Sequence, residues 1–92
     1  MMETPLHTAA KYGILYILEA LLAYKDIEVN ATDLELWTPL HHAASKGHYK
    51  VIKLLLGIEH IKVDSKAKDN RTPLLCAASV GRIISFEVLL EH

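Results

Sequence analysis

The sequence predicts an all-α repeat fold, a solenoid of three stacked helix-turn-helix pairs joined by hairpin-like loops. Three observations carry this. A ten-residue pattern occurs three times, at Thr4–Gly13, Thr38–Gly47 and Thr72–Gly81, each copy 34 residues after the last. Every copy opens with Thr-Pro-Leu and closes on glycine. An apolar stripe with helical spacing follows each glycine. Self-similarity at a fixed period of this length marks a stack of supersecondary units, none of which buries its core alone.

The first helix of each unit is specified at both ends. The hydroxyl of Thr38 can accept from a free amide of the first turn. Pro39 follows at the first helical position, where its missing N–H costs nothing. Leu40, Ala43 and Ala44 fall at i, i+3, i+4 on one face. The paired alanines are small, so a neighbouring helix can approach closely. Gly47 then provides the left-handed residue that ends the helix. The copies at Thr4 and Thr72 repeat these features.

The second helix carries the stripe. In the first unit it is Ile14, Ile17, Leu18, Leu21 and Leu22. The matching residues are Val51, Ile52, Leu55 and Leu56, then Ser85, Phe86, Leu89 and Leu90. Positions i, i+3, i+4, i+7 and i+8 lie on one face of a helix.

These motifs resemble the ankyrin repeat family from Thr4 to about Leu90. The Thr-Pro-Leu-His signature stands at residues 4–7 and 38–41, while the third copy has Leu75 in place of histidine. The family's Val-Asn-Ala-x-Asp stretch is matched by residues 29–33 and, more weakly, by 63–67, where Ala67 replaces the aspartate. Leu36 and Asn70 stand where the family usually has glycine. Each repeat has one residue beyond the usual 33, placed after the second helix, and Ile27 and Ile61 are expected to fold inward there. The resemblance implies hairpins near Asn30–Trp37 and Asp64–Arg71, extended arms with a tight turn rather than strong strands. It implies that His7 and His41 tie turns and neighbouring repeats together by hydrogen bonds. One domain over residues 1–92 is expected, with repeats at about 4–37, 38–71 and 72–90.

Composition narrows the function classes. The chain has 92 residues, 51% hydrophobic and 23% charged, which suits a globular chain. No apolar run approaches the roughly 18–20 residues that span a bilayer, so membrane insertion is not expected. The single cysteine, Cys76, cannot form an intrachain disulfide and leans towards a reducing, cytoplasmic setting. The formal net charge of −1 offers no bulk attraction to nucleic acid. The charge is nevertheless polarised. Residues 1–37 carry six acids against two bases, and residues 38–71 carry seven bases against three acids. A basic middle repeat that meets an acidic partner is one reading, and a solvated surface with local pairing is the other.

No catalytic, cofactor or metal constellation is found. Metal-binding imidazoles come in sets with carboxylates or thiolates, and His41 and His42, being adjacent, point about 100° apart on a helix. Cys76 sits beside the packed alanines and reads as an inert thiol. The four glycines are spread along the chain and make no phosphate cradle. The resemblance instead implies a protein-binding strip along hairpin tips and inner helices. By position this is Leu34, Glu35 and Trp37 on the first hairpin and Lys68, Asp69 and Arg71 on the second. The inner helices add Lys11, Tyr12, Ser45, Lys46, Ser79 and Val80. Trp37 reads equally as an anchor for a partner or as packing for the next arm. The ends lack polar caps, so two further expectations are held: the chain is part of a larger enzyme, channel or adaptor, or it associates end to end. Leu90-Glu91-His92 also resembles the start of a tag remnant, which would leave Glu91 and His92 without functional weight.

Overall fold

A computed structural model describes residues 2–92, so Met1 of the short N-terminal lead-in lies outside the described residues. Six helices follow in pairs: α1 (Pro5–Tyr12) and α2 (Leu15–Leu22), α3 (Pro39–Lys46) and α4 (Tyr49–Leu56), α5 (Pro73–Ser79) and α6 (Ile83–Glu91). Each first helix opens as its sequence requires. Thr4, Thr38 and Thr72 are extended N-caps whose hydroxyls accept from the amides of His7, His41 and Leu75. Gly13, Gly47 and Gly81 close the turns in the left-handed region, at φ 67°, 74° and 68°.

Stacking supplies the core. Helix α1 packs on α3 and α3 on α5, while α2, α4 and α6 form the second row. Ala9, Ala10, Ala43, Ala44 and Ala77 are buried, so the inner helices meet at short range. Leu18, Ile52, Leu55 and Leu89 carry the second row into the same core. The stripe is trimmed at the two ends. Ile17 and Leu90 are 37% and 62% exposed, because among the described residues no further helix pair packs on those outward sides. Ala78 is exposed for the same reason, although its counterpart Ala44 is fully buried. Ile27 and Ile61 are half-buried against the core, as expected.

Two histidines bind the units to one another. The Nδ1 of His7 accepts from the Thr4 amide at 3.1 Å, which places the ring proton on Nε2. That nitrogen donates to the carbonyl of Trp37 at 2.9 Å, in the next hairpin. His41 repeats the arrangement, from Thr38 at 3.1 Å to the carbonyl of Arg71 at 2.8 Å. Each ring therefore caps its own helix and grips the following unit. Leu75 has no such donor, and the ladder stops there.

The two hairpins are loops without strand pairing. In the first, Asp33 donates its amide to the Trp37 carbonyl and Leu36 donates to Asp33; in the second, Ala67 and Asn70 do the same with Arg71 and Ala67. The Lys68 amide donates to the Glu35 carbonyl at 3.0 Å, which sets the tips side by side. Behind them, the Asn30 side chain donates to the His60 carbonyl and accepts from the Lys62 amide, at 2.9 Å each.

Leu36 and Asn70 adopt φ 61° and 64°. Asparagine tolerates this region, but a leucine there sets its Cβ against the backbone at a cost of roughly 1–2 kcal/mol. Leu36→Gly is therefore expected to raise the unfolding free energy by about 1 kcal/mol, read from the urea midpoint. An unchanged or lower midpoint would show that contacts of the leucine side chain outweigh its strained backbone.

Candidate functional site

The residues expected on the protein-binding strip divide into two sets. Tyr12 and Leu34 are 62% and 66% exposed and have their rings and branches in solvent. Glu35, Lys46, Lys68 and Val80 are exposed as well, and Asp69 and Ser79 are exposed but bonded to Arg71. The second set is engaged within the fold. Lys11 lies 3.7 Å from Glu3, and its carbonyl accepts from Nε2 of His48 at 3.0 Å. Ser45 uses its carbonyl to accept from Nε of Arg82 at 3.1 Å. Arg71 pairs with Asp69 at 2.9 Å and donates to the Ser79 hydroxyl at 2.6 Å.

Trp37 belongs to the second set. Its ring lies 4.9 Å from that of His42 and 5.7 Å from that of His41, and it is half-buried against the core. Its carbonyl is the acceptor for His7. The ring thus packs on the inner helix α3, through the imidazoles of His41 and His42, rather than on the arm of the second hairpin named in the sequence reading.

The polar surroundings of Trp37 form a cluster that sequence spacing did not show. Nε2 of His42 lies 2.8 Å from Oδ2 of Asp33. The other Asp33 oxygen accepts from the amides of Glu35 and Trp37, at 3.0 Å each. Burial works against ionising Asp33, but the bonds from His42, Trp37 and Glu35 outweigh it and hold its carboxyl below the ordinary value. Burial pulls His42 down further than the Asp33 carboxylate raises it. At neutral pH the pair is thus an uncharged imidazole donating to a carboxylate. Ala67 cannot reproduce this in the second hairpin, so Asp69 takes the Arg71 amide there, at 3.3 Å.

Glu3 completes the only group of three metal-capable side chains found among the described residues. Its carboxylate and the ligating atoms of Asp33 and His42 lie within 4.8 Å of one another. Each atom is already employed. Glu3 accepts from the Thr8 hydroxyl at 2.8 Å and faces Lys11, while His42 and Asp33 satisfy each other. The bond between His42 and Asp33 ties the first hairpin to the inner helix of the second repeat, while Glu3 bonds within the first repeat. The signal for it was weak, because Glu3, Asp33 and His42 lie on three separate elements.

Cys76 is buried at 2% exposure, and burial pushes its thiol up to about 11. A thiol held protonated in this way is a poor nucleophile.

A family model described as ankyrin repeats, in three copies, matches residues 1–69. No curated protein sequence matches significantly. Among solved structures, a chain from the complex of a predatory endopeptidase of Bdellovibrio bacteriovorus with an immunity protein is similar. The TM-score is 0.90 at 27% identity, over 99% of this chain and 47% of that one. The chain thus spans about half the length of that solved relative. Significant matches extend to 376 solved chains, so the fold alone does not select a partner.

The buried imidazoles make stability depend on pH. Burial lowers His41 below 6.5 despite its bond to the Arg71 carbonyl, and burial lowers His42 as well. Below that pH the unfolded chain binds protons that the folded chain refuses, so stability is complete above about 6.5 and falls as the pH drops. The unfolding free energy from urea titration is expected to be flat from pH 7.5 to 8.5 and to decline below 6.5, by at most about 1.4 kcal/mol per pH unit for each imidazole. His42→Gln should flatten part of that decline. A midpoint that rises on acidification would contradict the assignment of neutral rings.

Proposed function

The chain belongs to the ankyrin repeat family, and from that premise we propose that it is a non-catalytic module that binds a partner protein through its hairpin tips and inner helices. The observation that carries this reading is the exposed set along one row of equivalent elements. Tyr12, Lys46, Ser79 and Val80 end the three inner helices, and Leu34, Glu35, Lys68 and Asp69 form the paired hairpin tips. Aromatic, apolar and charged groups alternate there, a mixture suited to a protein surface. The inert Cys76, the paired Asp33 and His42, and Glu3 bonded to Thr8 support a role without catalysis. The solved relative comes from a complex between an endopeptidase and an immunity protein, and a protein partner fits that likeness. The basic middle repeat favours a partner with an acidic surface.

No helix is long and apolar enough to cross a membrane among the described residues. The free, buried Cys76 supports a reducing, intracellular setting as part of the proposal.

A second reading is favoured by the outer face of the third repeat. Leu75, Ile83 and Leu90 are 51% to 72% exposed in that repeat, an apolar surface that marks a contact site. It fits either the repeat portion of a larger enzyme, channel or adaptor, or end-to-end contact with a second copy.

The test of the first reading uses exposed residues only. Tyr12→Ala, Lys46→Ala and Lys68→Ala combined are expected to lower affinity for the captured partner by about 100-fold, at roughly 1 kcal/mol per contact. Helicity and melting temperature should stay as in the native chain. Full binding by the triple variant would place the interface elsewhere.

A further inference from the structure

Ser85 stands out from the repeat pattern. Its counterpart in the second unit is Val51, fully packed at 1% exposure. Ser85 is buried to the same degree, yet its hydroxyl is the one buried side-chain polar atom without a hydrogen-bond partner among the described residues. A buried hydroxyl left in this state is costly, and a valine would have avoided the cost.

The residue lines a groove of about 500 Å³ between the turns of the second and third repeats, shared with Lys46, Tyr49, Arg82, Ile83 and Ile84. The groove lies at the start of α6, a nine-residue helix whose N-cap, Arg82, makes no side-chain cap. The Ile83 amide donates to the Gly81 carbonyl, whereas the amides of Ile84 and Ser85 sit at the second and third helical positions, where no intrahelical acceptor exists. The helix dipole adds positive potential at the same point.

Two cations border these donors. Lys46 is exposed at the end of α3. Arg82 lays its aliphatic stem over Gly47 and gives its Nε to the Ser45 carbonyl at 3.1 Å, which anchors the guanidinium and leaves its terminal nitrogens for a ligand. The corresponding residue of the previous unit, His48, spends its Nε2 on the Lys11 carbonyl and carries no guanidinium fork. The turn between the second and third repeats thus has a donor set that the first turn lacks.

We propose that this groove is an oxyanion site that receives an acidic side chain of the partner protein, carboxylate or phosphate, on the Ile84 and Ser85 amides, the Ser85 hydroxyl, Arg82 and Lys46. The exposed Ile83 and Ile84 beside it would contact the apolar neighbours of that side chain. The identity of the anion's carrier rests on the reading of the chain as a protein-binding module; the anion site does not.

The test is a ¹⁵N NMR titration of the whole chain with inorganic phosphate, and separately with acetate, at constant ionic strength. Saturable shifts at the Ile84 and Ser85 amides are expected. Arg82→Gln should weaken them about tenfold, the loss of one charge-assisted hydrogen bond. Lys46→Gln, at an exposed residue, should weaken them with the fold intact. Ser85→Ala should melt no earlier than the native chain and still bind phosphate less well, which separates a ligand-directed hydroxyl from a structural one. Response to phosphate alone assigns the site to a phosphorylated side chain, and response to acetate as well assigns it to aspartate or glutamate. No saturable shift with either anion, or shifts that neither Arg82→Gln nor Lys46→Gln alters, overturns the proposal. That outcome would leave the strip of hairpin tips and inner helices to stand or fall on its own variants.

Discussion

Two helices of about eight residues cannot hide an apolar stripe from water by themselves, and this single limitation shapes the whole molecule. A lone pair would expose the face carrying Leu40, Ala43 and Ala44, all of which are fully buried in the stack. Burial is therefore a property of neighbours. The histidine ladder adds direction to that dependence, because His7 and His41 cap their own helices with Nδ1 and reach the next unit with Nε2. One uncharged ring serves two structural levels, so loss of its tautomer would loosen a helix end and a repeat contact together.

Most of this was legible in the sequence because it is written in local chemistry and repeated. Threonine, proline and glycine at fixed offsets declare helix ends regardless of tertiary context, and three copies in register declare the stack. Positions whose environment depends on what lies beyond them could not be read in the same way. Ile17 and Leu90 share helical spacing with Leu18 and Leu89, yet no neighbour covers them. Leu36 shows the opposite case. The hairpin geometry is imposed by the bonds between Asp33, Leu36 and Trp37, and the residue follows at a cost in strain.

The polar groups were the least legible. Asp33, His42 and Glu3 meet only because a hairpin, an inner helix and the lead-in converge, and nothing in their spacing along the chain announces it. Trp37 could be read either way until its ring was seen against two imidazoles. Ser85 was visible in the sequence as a departure from an apolar stripe, but its meaning depends on the groove it lines. Structure and recognition thus draw on different residues. The buried polar groups join the units, and the groups left over at tips, helix ends and turns are those available to another protein.

If every unit depends on its neighbours, the chain has no partly folded resting state. Trp37, the sole tryptophan, reports on the contact between the first and second repeats, whereas far-ultraviolet circular dichroism reports on all six helices. Equilibrium unfolding in urea followed by both signals is the direct measurement. One shared midpoint and slope is the result this account predicts. A tryptophan transition separated from the loss of helix, with part of the stack surviving alone, would contradict it.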